Sequence, residues 1–168
     1  MLPAMSHQDR ERFLTDPRVG LLGVADPRSD DRAPLVVPVW YGYEPGGEIV
    51  VETGRETVKA QLLRAAGRFS LCVQDEQQPY RYVSVEGPVT GISDPVPPAL
   101  REALAYRYLP PEEALAYLAA TSDQLTDDLV FRMRPQRWRS ADFAAFAADF
   151  TPAGVGAGAP HGDDGPGK

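Results

Sequence analysis

Glu52-Thr53-Gly54-Arg55-Glu56-Thr57-Val58-Lys59-Ala60-Gln61-Leu62-Leu63 joins a strand-like run, Glu48 to Thr53, to a helical pattern, Thr57 to Ala66. A strand that passes through a glycine turn into a helix presents unpaired backbone N–H groups and the positive end of a helix dipole. Thr53, Gly54, Arg55, Thr57 and Lys59 gather at this join, and together they read as a site for a phosphate ester. The chain holds 15 Arg and 2 Lys, one of them the last residue, so Lys59 is the single ammonium of the body. The plain alternative is a solvated helix face carrying an i, i+4 pair. Two cations at a helix N-terminus oppose its dipole, which favours a bound anion over that alternative.

Outward from this stretch the pattern is mostly β. Apolar runs and turn residues predict strands over 19–25, 35–43, 48–53, 69–74, 80–92 and 128–134. Glu44-Pro45-Gly46-Gly47 makes a hairpin between the second and third. The run from Tyr80 to Ile92 alternates, with Tyr80, Tyr82, Ser84 and Glu86 on one face and Arg81, Val83, Val85 and Gly87 on the other. Helices are expected at 6–14, with Ser6 as cap, at 57–66, and at 97–108 and 111–120, where Pro110-Pro111 divides two pieces. Strands linked by short turns predict a mainly β fold with flanking helices. Its six or so largely antiparallel strands close into a small split barrel, since closure removes exposed edges. The segment R-P-Q-R-W-R-S-A-D-F at 134–143 follows the last expected strand. Residues 1–150 form one domain. The tail 151–168 has nine Gly or Pro among its 18 residues and reads as disordered.

Composition narrows the function. A net charge of -7 argues against general nucleic-acid or membrane-surface binding, so an anionic ligand needs a local basic cluster. One cysteine, Cys72, excludes an internal disulfide framework and reads as a buried, inert thiol. No early segment has a signal peptide's apolar core, and a cytoplasmic location is expected; Met5 is a second plausible start. The two histidines, His7 and His161, stand near the ends. The body therefore offers neither an imidazole base for a catalytic triad nor ligands enough for a zinc site. If the chain does chemistry, a bound organic cofactor carries it. Glu112, Glu113 and the scattered aspartates read as surface charges.

Four blocks in order, V-V-P-V-W-Y at 36–41, E-T-G-R-E-T-V-K-A at 52–60, S-L-C-V-Q-D-E-Q-Q-P-Y-R-Y-V-S-V-E-G at 70–87 and R-P-Q-R-W-R-S-A-D-F at 134–143, resemble the pyridoxamine 5'-phosphate oxidase-like split β-barrel proteins. Within these the chain is most similar to the actinobacterial flavin/deazaflavin oxidoreductases that use coenzyme F420. The resemblance implies a homodimer with the cofactor in a groove between subunits. It places Val37, Pro38, Val39 and Trp40 along the ring and gives the phosphate to Thr53, Gly54, Arg55, Thr57 and Lys59. It sets Gln74, Tyr80 and Arg81 near the groove and has Trp138 close it. It implies F420-dependent hydride transfer to a small unsaturated or carbonyl-type substrate. FMN on the same fold, or a carrier that binds the cofactor without turnover, are the alternatives.

Overall fold

The computed structural model describes residues 4–144; the expected tail from Thr151, and the end of the domain assigned to 1–150, lie outside the described residues. The chain opens with α1 (His7–Thr15), capped where Ser6 Oγ accepts the Asp9 N–H at 3.1 Å. Then come β1 (Gly20–Val24), β2 (Leu35–Val39), β3 (Ile49–Gly54) and α2 (Val58–Ala66). β4 (Arg68–Gln74) and the long β5 (Arg81–Ser93) follow, then α3 (Pro98–Tyr108), α4 (Pro111–Ala120), β6 (Asp128–Met133) and β7 (Arg137–Asp142). A short 3₁₀ turn, Ser122–Thr126, precedes β6. No described helix is long and apolar enough to cross a membrane.

All strand pairs are antiparallel, in the order β2-β1-β4-β5-β6-β3, with β7 also on β5. The path curls until its ends meet. Gly42, just beyond β2, exchanges both backbone bonds with Val50 of β3, at 2.8 and 2.9 Å. That bridge closes a split barrel at one point and leaves a seam between the rest of β2 and β3. Inside lie Leu14, Leu22, Ile49, Val51, Leu71, Val73, Phe131 and Met133, all without exposed surface. The alternation expected in β5 holds: Val83, Val85 and Gly87 face this core.

Two expectations change. The strand predicted over 35–43 stops pairing with β1 at Val39. Beyond it the Tyr41 N–H donates to Tyr108 Oη at 3.1 Å, so a side chain from α3 takes the place of a neighbouring strand. The sheet also has a seventh strand, β7, where the sequence suggested only a following segment. Its edge of β5 is shared: β6 pairs with Val89–Ser93 and β7 with Arg81–Glu86. One long strand, kinked by a bulge between Val89 and Gly91, thus serves two partners in succession.

Candidate functional site

The β3–α2 join forms as its residues predict. Thr57 caps α2, its Oγ1 accepting the Ala60 N–H at 3.1 Å and donating to the Gly54 carbonyl at 2.8 Å. The Thr53 and Thr57 hydroxyls lie 3.1 Å apart. At the other end Gly67 takes φ +63°, and its N–H reaches the Leu63 carbonyl at 3.0 Å. Ala60, Leu62 and Leu63 anchor the helix to the core, leaving Lys59 to point elsewhere.

Lys59 points into the seam. A cavity of about 240 Å³ opens there between Pro38, Val39 and Trp40 on one side and Thr53 and Lys59 on the other. Among the described residues the Lys59 ammonium has no hydrogen bond or ion pair. Burial pushes its pKa down, with the Asp128 charge acting the other way. Trp40 is stacked on Tyr108 with centroids 5.0 Å apart and planes 6° apart, and tilts against Tyr117 at 5.5 Å. Pro38 sits exposed on the free edge strand, where its missing N–H leaves no ladder bond unmade. Val39 beside it is buried, and Val37 packs partly against the core.

Arg55 does not join Lys59. Its guanidinium grips the Asp94 carboxylate with both arms and donates to the Thr126 carbonyl at 3.0 Å. The cavity is instead lined by four residues that the sequence did not single out: Glu52, Arg101, Tyr117 and Asp128. Arg101, 3% exposed, reaches from α3 to both carboxylates and to the Thr121 carbonyl at 2.9 Å. Asp128 is therefore not one of the surface charges that the acidic residues were expected to be. Burial raises the Glu52 pKa, opposed chiefly by its bonds to Arg101. One signal was present: Arg101, Leu104, Ala105 and Tyr108 share a helix face, which places a charge on the buried side.

The remaining predicted residues lie apart within one chain. Gln74 and Arg81 line a wider groove of about 830 Å³, with Val19, Leu21 and Cys72 on its floor, and the exposed Tyr80 stands next to it in sequence. Arg81 is occupied there: its Nε donates to Asp75 at 2.7 Å, and Arg18 meets the same carboxylate at 3.0 Å. Both guanidiniums lie over the Phe13 ring, Arg18 at 4.0 Å and Arg81 at 5.2 Å. Trp138, on the inner face of β7, meets His7 edge-on at 5.6 Å and Tyr43 at 6.4 Å. It packs below α1, away from the seam.

Among the described residues, the outer face of the five strands β2-β1-β4-β5-β7 carries none of the helices α1 to α4. It exposes Val36, Pro38, Val19 and Leu21 at one side and Arg137 and Arg139 at the other, with the half-buried Cys72, Ser84 and Glu86 between them. Val36 is 60% exposed and Leu21 41%.

The family model described as pyridoxamine 5'-phosphate oxidase matches residues 6–142. Among solved structures, the chain is 26% identical to an F420 reductase, covering 76% of this chain and 94% of that one, with a TM-score of 0.58. It is 26% identical to a conserved hypothetical protein of Mycobacterium tuberculosis, covering 91% and 93% of the two chains, with a TM-score of 0.65. An FAD-binding protein of Mesorhizobium loti shares the fold at 22% identity, 83% and 96% coverage and a TM-score of 0.55. No curated protein matches the chain by sequence.

Proposed function

Because this chain belongs to the pyridoxamine 5'-phosphate oxidase family, we propose that it is an oxidoreductase that works with a bound flavin-type cofactor, coenzyme F420 before FMN. One observation carries this: an ammonium that has no partner among the described residues faces a cavity beside two threonine hydroxyls and a held tryptophan. A half-buried cation with nothing to bind calls for an anion. At about 240 Å³ the cavity is smaller than the roughly 300–1,000 Å³ that encloses a whole small molecule, so it suits one end of a longer ligand. Lys59, Thr53, Thr57 and the Gly54 turn hold the phosphate on this reading, and Arg55 joins only by exchanging Asp94 for it. Val37, Pro38, Val39 and Trp40 border the ring. The preference for F420 rests on the likeness to the F420 reductase.

When bound, the deazaflavin supplies hydride transfer to or from a small unsaturated or carbonyl-type compound. The protein's part is to hold ring and acceptor together and keep water out, a positioning role that can supply several kcal/mol of a barrier. Lys59→Ala is expected to weaken cofactor binding by about ten- to a hundredfold, the loss of one charge-assisted bond. Parallel fluorescence titrations with F420 and FMN test this. Tight FMN binding with no F420 binding transfers the proposal to FMN. Bound, reduced F420 that no enone, quinone or tetrapyrrole reoxidises in the absence of oxygen makes the protein a carrier.

The same reading requires a second copy. Gln74 and Arg81 line a different groove from Lys59 in one chain, with Tyr80 next to it in sequence, and the three reach a shared cofactor across a two-fold interface on the outer sheet face. Leu21→Asp at the middle of that face is expected to give a monomer by sedimentation and to lose cofactor. Cys72 pairs across the ladder with Leu21. Burial raises its pKa, so iodoacetamide should label it slowly at neutral pH, and faster in the Leu21→Asp monomer. Equal labelling of both proteins, with the variant still dimeric, places the interface elsewhere.

A further inference from the structure

We propose that Tyr117, carried by α4, is a second hydrogen-bond donor to the phosphate that Lys59 receives; this rests on the phosphate reading of the seam cavity. The polar side chains that line the space are unequally occupied. Glu52 and Asp128 are both held by Arg101. Thr53 is bonded to Thr57, and Thr57 to the turn. Lys59 Nζ and Tyr117 Oη are donors without a hydrogen-bond partner among the described residues, as is the Trp40 indole N–H, while each carboxylate bonds Arg101 through one oxygen only. An ammonium only donates, and a phenol donates readily. An ammonium and a phenol with nothing to donate to suit a ligand rich in acceptor oxygens, and Arg101 offsets the two carboxylates beside them.

Tyr117 is held in place for this. Pro111 starts α4 at a position where a missing N–H costs nothing. Arg101 fastens the far end of the helix by donating to the Thr121 carbonyl. The Tyr117 ring leans on Trp40, which is itself stacked on Tyr108. Burial raises the phenol's pKa, so it keeps its proton at neutral pH and remains a donor. Arg101 has a consequence here too. By bonding both carboxylates it screens a phosphate from charges that would otherwise repel it. The competing account is packing: the ring alone matters, and the hydroxyl does nothing.

Tyr117→Phe separates the two, because it keeps the ring and removes the oxygen. FMN and riboflavin, and F420 and its phosphate-free deazaflavin chromophore, are titrated by fluorescence against the wild type, Tyr117→Phe, Lys59→Ala and the double variant. The expected result is about a tenfold loss for FMN and F420 in Tyr117→Phe, from one bond to a charged acceptor. Riboflavin and the phosphate-free chromophore should bind unchanged, and the melting temperature without ligand should not move. The double variant should lose less than the product of the single losses, since both groups serve one phosphate. An equal loss for phosphate-bearing and phosphate-free ligands puts Tyr117 on the ring and overturns the proposal. No loss for any ligand reduces Tyr117 to packing. If Lys59→Ala keeps the full preference for FMN over riboflavin, or the wild type shows none, the phosphate reading itself fails. If only Lys59→Ala loses the preference, that reading stands and Tyr117 has no part in it.

Discussion

Arg101→Ala is expected to destabilise the fold by about 3–5 kcal/mol, the usual cost of stranding buried charge. Arg101 is 3% exposed, and it is bonded to Glu52 on β3, to Asp128 on β6 and to the Thr121 carbonyl after α4. Removing it leaves two carboxylates side by side in the seam with only Lys59 nearby. The loss should depend on pH, with a definite sign. Glu52 already has its pKa raised above the ordinary 4.5 by burial, and without Arg101 it should rise further. A group whose folded pKa is raised favours the fold fully below its unfolded pKa. That contribution is lost as pH rises through the folded value. The gap between variant and wild type should therefore be wide at pH 7 and close as pH falls towards 4.5. Urea melts at several pH values measure it. Arg101→Met combined with Glu52→Gln and Asp128→Asn should recover most of the stability, because no buried charge is then left alone. A flat pH profile, or a triple variant no better than the single one, would show that Arg101 acts by packing.

The buried arginine also shows where the sequence stopped being legible. The join at Thr53 to Lys59 could be read because it is local: a strand, a glycine, a cap and a helix within a dozen residues. Trp40 is placed at the cofactor only by the family resemblance, since β2 and β3 stand at opposite ends of the sheet path and meet only at the Gly42–Val50 bridge. Arg101 and Tyr117 reach the same cavity from helices that follow β5, and the Arg101–Glu52 contact spans 49 residues of sequence. The diversion of Arg55 to Asp94 spans 39. Nothing in a residue's near neighbours reports such a contact. β7 escaped for a different reason. Its outward positions are Arg137 and Arg139, its inward ones Trp138 and Ser140, so its alternation lacks the apolar run that marked the other strands. The long alternation of β5, in contrast, was legible, because one face is fully buried and a shift by one residue would expose it.

That buried face contains one position with no room at all, and Gly87→Ala is expected to cost about 3 kcal/mol, the upper end of the usual range for overpacking. The chain between β6 and β7 crosses directly over Gly87. The Arg134 N–H donates to the Pro88 carbonyl at 3.1 Å and the Gln136 N–H to the Glu86 carbonyl at 2.9 Å. A Cβ on residue 87 would fall far inside contact with the Arg134 carbonyl oxygen, 2.9 Å from its carbon and 3.0 Å from Met133 Sδ. The obstacle is mainly backbone, which cannot swing aside as a side-chain tip would. On the opposite edge Gly87 pairs with Phe69 of β4, so β5 cannot retreat without opening that ladder. The corner between β6 and β7 must move instead, and it links the seam to the outer sheet face. β6 begins at Asp128 in the seam, and β7 supplies Arg137 and Arg139 to the outer sheet face. Gly87→Ala should therefore lower the urea midpoint and weaken both cofactor binding and self-association. Gly91→Ala is the control four residues further along the same strand. A Cβ there meets nothing within 4 Å, and its backbone lies outside the left-handed region. It should be neutral or stabilise by roughly 0.4–1 kcal/mol, through a less flexible unfolded chain. If both variants melt together with the wild type, the corner between β6 and β7 does not cross β5 at Gly87.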